Sequence, residues 1–273
     1  MSDITSDDIS QFTDHTGKVR SLIGMRPCPA HLVGAFRRYG DANELIDEST
    51  IVDFELPEPF AAFDQQQTSS CNAHSAVEGD MISAFVQGNM QNAPLDPWSI
   101  YALLTGGSDV GSSIEAALEL LMTWGAPTWG TIPPWTFNPS EIPKETDADQ
   151  HKVEFGEMLT TRQEIMTAIA RHEPLNFSVR AGKGFDNPNP SGLVQLTPGP
   201  CNHSITGWGG KRTNPQTGAT EVKILNHWGK DWCLNGWGWV DVDQLMRGRN
   251  LACYRVKSVN FGTGSKVTIP EVA

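Results

Sequence analysis

Residues 65–77 read QQQTSSCNAHSAV, and this segment decides the fold of the chain. Beyond its cysteine, apolar residues recur at the spacing of one helix face: Ala73, Val77, Met81 and Phe85. No proline interrupts the run before Pro94. The spacing therefore predicts a helix that begins at Cys71.

A cysteine at the start of a helix has an unusual electrostatic environment. The unpaired N–H groups of the first turn carry partial positive charge, which favours a thiolate over a thiol. A thiolate nucleophile also needs an imidazole to accept its proton and a polar group to hold that imidazole. His203 and Asn226 are the right residue types, and each lies at an end of a predicted strand. Taken singly, such residues are more often structural, so their local contexts decide.

The first half of the chain carries further helix signals. Ile114, Ala117, Leu118, Leu121 and Met122 have helical spacing, with Ser112 or Ser113 as the N-terminal cap and Gly125 as the stop. A third helix is predicted over residues 161–171. The proline- and tryptophan-rich run 126–143 predicts an irregular connection, and a lobe boundary fits there.

The second half of the chain has the pattern of strands. Leu175, Phe177 and Val179 alternate with polar residues, which predicts a half-buried strand. Further strands are predicted around residues 203–208, 221–227, 237–241 and 252–259. Helices followed by strands indicate an α+β protein with two unlike lobes.

Composition excludes several classes of function. The formal net charge is −12, and Lys and Arg form no run, which argues against nucleic-acid binding and against an anionic membrane surface. No stretch of about 18 apolar residues and no secretory signal pattern is found, so we expect a soluble, unexported protein without a transmembrane segment.

Five scattered cysteines are an odd number, so at least one thiol is expected to be free. Cys201 and His203 lie close in sequence, yet no paired Cys/His cluster with zinc-ligand spacing accompanies them. We therefore predict neither a metal nor an organic cofactor.

Three segments, in the same order along the chain, resemble the papain family of cysteine peptidases. The first is residues 65–77, with glutamine six positions before cysteine. The second is Asn202-His203-Ser204-Ile205-Thr206-Gly207-Trp208-Gly209. The third is Leu225-Asn226-His227-Trp228-Gly229, followed by Gly236-Trp237-Gly238-Trp239-Val240. The resemblance covers most of the chain from residue 53.

This resemblance implies a papain-like two-lobe fold, with a helical first lobe, a β-barrel-like second lobe and the active cleft between them. It implies that Cys71 is the nucleophile, His203 the acid/base and Asn226 the residue that orients His203. Gln65 and the backbone N–H of Cys71 would form the oxyanion hole. Trp228 would shield the histidine–asparagine contact, and Ser69, Ser70 and Trp228 would line the cleft.

The expected domain organisation is a tail and extension over 1–52, a peptidase domain over 53–265 and a C-terminal tail over 266–273. The peptidase domain divides into a helical lobe, about 53–150, and a β-rich lobe, 151–265. Residues 1–16 are expected to be a loosely packed tail. Inhibition by residues 1 to about 50 is a hypothesis that the sequence leaves open.

The resemblance is closest to prokaryotic and viral members without a long pro-segment. These members have counterparts of Met25-Arg26-Pro27, of Asp53-Phe54 and of the run Asp109–Ile114. Association with a virion or another assembly is therefore one further reading of the chain.

The chain also departs from the family pattern. Thr68 and Ser69 replace the cysteine and glycine that commonly precede the nucleophile, so the usual first-lobe disulfide is excluded and reducing surroundings, cytoplasmic or virion-associated, are favoured. Asn72 and His74 replace aromatic residues, and His227 replaces serine. Ser69 is expected to narrow access to the cleft.

The implied reaction is hydrolysis of peptide bonds in a protein or peptide substrate through a covalent acyl-enzyme. Two alternatives stay open. The same nucleophile supports acyl transfer or isopeptide cleavage, and the fold also suits an inactive binding or virion-structural protein.

Overall fold

The computed structural model describes residues 11–40, 46, 48–51, 63–88, 94–247, 252–259 and 267–268. The pair Asp53-Phe54, the first ten residues and most of the predicted C-terminal tail lie outside the described residues.

Six α-helices are present in the described part of the chain: α1 Cys71–Val86, α2 Pro97–Thr105, α3 Ile114–Thr123, α4 Arg162–Ala170, α5 Lys183–Asp186 and α6 Val242–Met246. The three predicted helices are confirmed as α1, α3 and α4. The Ser113 side chain caps α3 by accepting a hydrogen bond from the backbone N–H of Ala116. Gly125 follows that helix with a φ of +95°, where glycine is favoured.

Eleven strands are described: β1 Gln11–Thr13, β2 Val19–Ser21, β3 Arg37–Arg38, β4 Glu145–Thr146, β5 Val153–Met158, β6 Leu175–Val179, β7 His203–Thr213, β8 Thr220–Leu225, β9 Trp237–Asp241, β10 Cys253–Ser258 and β11 Val267–Thr268. Seven of them form one sheet in the order β3-β5-β10-β6-β7-β8-β9. Its pairings are antiparallel except for β3 with β5. The strands predicted in the second half are confirmed as β6 to β10.

The molecule has two main hydrophobic cores, one on each face of the seven-stranded sheet. One core joins α1 to α2 and α3, and the other lies against the opposite face of the sheet, under α4. Because both sides of α1 are covered, most of this helix is buried. Strand β6 is likewise buried at all five residues, rather than half-buried, because Asn176 faces α1 and donates to the carbonyl of Ser75. The α+β class with two unlike lobes is confirmed.

The N-terminal region is part of the folded body. Strands β1 and β2 form an antiparallel hairpin, and the Phe12 ring lies 5.4 Å from the ring of Trp228. Asp14 is buried and binds Arg20. The expectation of a loosely packed tail is therefore wrong for residues 11–16, because an aromatic contact and an ion pair anchor them.

Within the described residues, no helix combines the length and the apolar character needed to cross a bilayer.

Candidate active site

The Cys71 thiol lies at the first residue of α1, where the helix presents its unpaired N–H groups. The backbone N–H groups of Ser204, Asn72 and Cys71 itself face the sulfur, and each favours its thiolate form. Ser204 directly follows His203 along β7. The sulfur of Cys71 therefore meets the strand that carries the predicted imidazole, at the point where that strand begins.

His203 and Asn226 meet across the β7–β8 pair. His203 is the first residue of β7 and Asn226 directly follows β8, and the antiparallel register brings these strand ends together. The two side chains join through His203 Nε2 and Asn226 Oδ1, which are 2.9 Å apart. The other ring nitrogen, Nδ1, has no hydrogen-bond partner among the described residues.

Aromatic rings enclose this histidine–asparagine contact. The ring of Trp228 lies 5.0 Å from the ring of His203, and Phe185 presents an edge at 5.6 Å. Both aromatic residues are fully buried. The contact is thus enclosed by buried aromatic rings, and the shielding role of Trp228 stays a prediction.

Gln65 lies in a short extended segment beside the residues that follow Asn226. Its backbone N–H donates to the carbonyl of His227 over 2.8 Å, and two residues earlier the Phe63 carbonyl accepts from Gly229. The Gln65 side-chain amide donates to the carbonyl of Thr68 over 2.6 Å. One N–H of this amide is thus used to fix the loop before Cys71, and the amide has a second N–H.

Residues 20–26, which we call the cap, cover the thiol. A Cβ atom placed on Gly24 would lie 2.3 Å from Cys71 Sγ, so the backbone of Gly24 rests directly on the sulfur. The Gly24 carbonyl accepts from the backbone N–H of Ser112 over 3.0 Å and from Asn72 Nδ2 over 3.2 Å. Ser21 Oγ lies 2.8 Å from Ser69 Oγ.

Arg20 anchors the cap to the rest of the molecule. Its Nε lies 2.7 Å from a carboxylate oxygen of Asp14, and its Nη1 lies 2.5 Å from Asp64 Oδ1. Its Nη2 donates to the carbonyl of Trp228 over 2.7 Å. Arg20 is only 1% exposed, so this charge is paired rather than solvated.

The cap determines the charge state of the two reactive groups. Cys71 is 1% exposed and His203 is fully buried. Burial raises the pKa of the Cys71 thiol to about 12. Burial is the main cause that holds the pKa of His203 well below its usual value, and a proton on His227 lowers it further. Burial thus favours the neutral form of both groups in this closed structure.

The remaining predicted cleft residues also lie beneath the cap or beside it. Ser69, Ser70 and Trp228 are all buried. Ser70 Oγ contacts His74 Nδ1 at 3.0 Å and Thr68 Oγ1 at 2.7 Å, so it fixes the start of α1. Cys28, Cys71, Cys233 and Cys253 are free thiols, which confirms the expectation of at least one. No group of three His, Cys, Asp or Glu side chains is placed to hold a metal ion in the described part of the chain.

Two acidic residues near the site carried no predicted role. Asp109 Oδ1 accepts from the backbone N–H of Ser69 over 2.8 Å and from the Tyr101 hydroxyl over 2.6 Å, so it holds the loop before Cys71. Glu78 is buried on α1, two turns after Cys71. An acidic residue on the buried face of a helix was the available sequence signal for Glu78.

Comparison with known proteins shows the fold. Neither a protein-family model nor a curated protein sequence matches the chain. Solved structures do match. Xylellain, a cysteine protease from Xylella fastidiosa, has a TM-score of 0.71 at 17% identity, covering 88% of this chain and 97% of its own.

Two further matches are structures of precursor forms. Digestive procathepsin L 3 of Tenebrio molitor larval midgut has a TM-score of 0.64 at 12% identity, over 86% of this chain and 76% of its own. The ragweed cysteine protease Amb a 11, in its proform, has a TM-score of 0.62 at 17% identity, over 83% of this chain and 72% of its own. The chain therefore has the papain-like cysteine protease fold.

Proposed function

We propose that the protein is a papain-like cysteine peptidase that hydrolyses peptide bonds in protein or peptide substrates. One observation carries the proposal. The N-terminus of α1 presents Cys71 to the strand end at which His203 is bound to Asn226. The fold supports it, because the solved structures that match this chain include xylellain and Amb a 11, which are cysteine proteases by name.

The proposed reaction begins when the cap has moved and water or substrate reaches the site. The Cys71 thiol transfers its proton to His203, whose imidazolium Asn226 orients through the Nε2 contact. The thiolate attacks the peptide carbonyl. The backbone N–H of Cys71 and the amide of Gln65 stabilise the tetrahedral oxyanion, and losing one such donor typically costs about 2.7 to 4 kcal/mol. His203 then protonates the leaving amine and activates the water that hydrolyses the acyl-enzyme.

The cap bears on the hypothesis that the N-terminal region inhibits. A thiol that is 1% exposed cannot receive a substrate, so activity requires residues 20–26 to leave the cleft. The Gly24 carbonyl is bound by Ser112 and Asn72. These two hydrogen bonds keep the Gly24 carbonyl outside the proposed oxyanion hole. This position protects the cap from cleavage. We include this inhibition in the proposed function.

The test is selective labelling of Cys71 near pH 5.5 by a neutral alkylating reagent, mapped by mass spectrometry. An ordinary thiol, with a pKa of about 8.5, reacts slowly there. The full chain is compared with Gly24→Ala, which opens the cap, and with that variant carrying His203→Ala. We expect rapid labelling of Cys71 only in the open variant with His203 intact.

The other four cysteines are internal controls in the same spectra. If Cys71 is labelled faster in Gly24→Ala than in the parent chain and yet reacts no faster than the other four cysteines, the active peptidase is excluded and the inactive binding protein becomes the better reading. If Cys71 is activated, product analysis with a peptide and an added amine separates hydrolysis from acyl transfer, and a branched peptide tests isopeptide cleavage.

A further inference from the structure

A buried carboxyl–imidazole pair lies beside the proposed triad and has no role in the reaction above. Oε2 of Glu78 is 3.5 Å from Nδ1 of His227, and the two side chains are 4% and 0% exposed. Oε1 of Glu78 has no hydrogen-bond partner among the described residues. Burying titratable groups with so few partners is unfavourable, so this arrangement needs an explanation.

Glu78 touches all three elements that carry the proposed triad. It belongs to α1, two turns after Cys71. Its Oε2 accepts from the hydroxyl of Thr206, 3.0 Å away on β7, three residues after His203. The same oxygen faces His227, which directly follows Asn226. A single carboxyl group therefore connects the segments bearing the nucleophile, the acid/base and the orienting residue.

His227 in turn lies against His203 and against Ser204, whose backbone faces Cys71. Its ring is 5.1 Å from the ring of His203. The backbone carbonyl of Ser204 lies beside the ring and favours an N–H on it, while the backbone N–H of Ser204 faces the sulfur of Cys71. The charge of His227 matters here, because a proton on His227 opposes a proton on His203.

We propose that Glu78 and His227 are positioning residues of the triad, in which Glu78 keeps its proton and directs it at Nδ1 of His227, 3.5 Å away. Neither ring nitrogen of His227 makes a hydrogen bond within the described residues, so the Glu78 carboxyl faces an unsatisfied acceptor. The protonated carboxyl keeps His227 neutral beside His203, so that the imidazolium needed for catalysis forms on His203 alone. The inference rests on the proposed function.

The protonation states agree with this arrangement. Burial raises the pKa of Glu78 to about 8, against the opposing hydrogen bond from Thr206. Burial, followed by the charge of Arg20, lowers the pKa of His227 to about 3. Between pH 5 and 7 the carboxyl therefore holds the proton and the imidazole does not.

Groups on several elements face this pair, and each has a defined charge. The charged or titratable groups around His227, besides Glu78, are Arg20 on β2, Asp64 before α1, His74 on α1 and His203 on β7. Arg20 and Asp64 are paired with one another. Burial holds the pKa of His74 and of His203 well below the usual value, so both are neutral in the closed structure. Asp64 is a negative charge that raises the pKa of His227, but burial and the charge of Arg20 outweigh it.

The first test is ¹⁵N spectroscopy of the histidine rings in the unsubstituted full chain, with His227 assigned by comparison with His227→Asn. We expect a neutral His227 ring from pH 5 to 7, with Nδ1 as the unprotonated acceptor. A charged His227 at pH 6, or a neutral ring that carries its proton on Nδ1, overturns the proposal. This readout needs neither substrate nor a reactive thiol.

The second test compares two substitutions in the open Gly24→Ala protein. Glu78→Gln keeps a neutral donor of the same shape, whereas Glu78→Leu fills the space without one. We expect Cys71 labelling at pH 6 to be about tenfold faster in Glu78→Gln than in Glu78→Leu. The reason is that only an aligned His203 imidazole accepts the proton of Cys71 efficiently. We also expect the parent to show a transition in labelling rate near pH 8, where Glu78 ionises, and Glu78→Gln to lack it.

Each result decides a separate point. Equal rates for Gln and Leu, or a transition near pH 8 that survives in Glu78→Gln, overturn the assignment of a protonated Glu78. If His203→Ala fails to slow labelling in the open protein, the proposed function fails instead, and the ring spectra of the unsubstituted chain still decide the state of the pair. Those spectra also decide it if either Glu78 variant does not fold.

Discussion

Gly24 shows how one missing side chain closes the site. A Cβ at this position would lie 2.3 Å from Cys71 Sγ and 3.1 Å from the carbonyl oxygen of Ser69. Neither neighbour can retreat easily, because Cys71 is the first residue of α1 and Ser69 lies in the loop that Asp109 holds just before it. Gly24→Ala should therefore displace the cap. We expect the labelling rate of Cys71 to rise at least about tenfold, which corresponds to about 1.4 kcal/mol of destabilisation of the closed state.

Gly40→Ala is the matched control for this substitution. A Cβ on Gly40 meets no heavy atom of the described residues within 4 Å, and neither glycine has a positive φ. Both substitutions reduce the backbone freedom of the unfolded chain in the same way. The two variants therefore differ in the contact that the new Cβ makes with the sulfur of Cys71. An unchanged labelling rate in Gly24→Ala, measured by mass spectrometry, would show that the cap does not govern access to Cys71.

At the residue scale, the sequence predicted positions that carry a local signature. Cys71 was placed correctly at a helix start because the apolar spacing that follows it is local. The Gly24 contact could not be predicted in this way, because the glycine and the thiol are far apart in sequence and the contact depends on how the N-terminal hairpin docks. Glu78 was missed for the same reason, since its partners His227 and Thr206 lie on other elements.

The β1–β2 hairpin is the element that holds the cap, and Arg20 is its anchor. Replacing Arg20 by Gln would leave the carboxylate of Asp14 buried without its ionic partner, and breaking such a buried pair costs about 3 to 5 kcal/mol. We expect hydrogen exchange to accelerate over residues 11–26 while α1 and α3 keep their protection. Hydrogen exchange followed by peptide mass spectrometry measures both regions at once.

Lys18→Gln is the control within the same hairpin. Lys18 also binds Asp64, at 2.9 Å, but its side chain is 38% exposed. Surface ion pairs contribute about 0 to 1 kcal/mol, so this variant should exchange almost as slowly as the parent. Equal acceleration in both variants would indicate that total charge, rather than the buried Arg20 anchor, holds the hairpin.

At the element scale, the sequence predicted helices with one apolar face and missed those without. Helix α3 has a polar side and was predicted together with its cap. Helix α2 was missed, although Asp96 caps it and Pro97 occupies its first turn, because its run of buried residues from Pro97 to Ala102 leaves no polar stripe. Strand β5 was also missed, although it pairs with β3 and β10 in the sheet.

At the scale of the whole molecule, the cap connects the two lobes. Gly24 is bound by Ser112 before α3, on the helical side, while Arg20 is bound to the carbonyl of Trp228, on the β-rich side. Because both attachments hold the closed form, opening requires the segment to leave both lobes. If the cap opens as proposed, the balance between the closed and the open state depends on the ion pairs of Arg20.

That balance has a predictable dependence on pH. Burial opposes ionisation of Asp14, yet hydrogen bonds from Thr16 and Arg20 hold its pKa below 3.8, and those from Lys18 and Arg20 do the same for Asp64. A carboxyl group whose pKa is lowered by folding contributes its full stabilisation of the closed form at any pH above the pKa that the group has in the unfolded chain. This stabilisation is lost as the pH falls through the lowered value. The cap should hold at pH 5 to 7 and open below about pH 3.8.

The measurement is the reaction of Cys71 with a dipyridyl disulfide, a reagent that stays reactive in acid. Cys253 is completely buried in the second core and reports global unfolding in the same sample. We expect Cys71 to become reactive below pH 3.8 while Cys253 stays protected, and we expect Arg20→Gln to remove this dependence. If both cysteines become reactive together, acid unfolds the whole protein, and the carboxylates of Asp14 and Asp64 do not act on the cap separately.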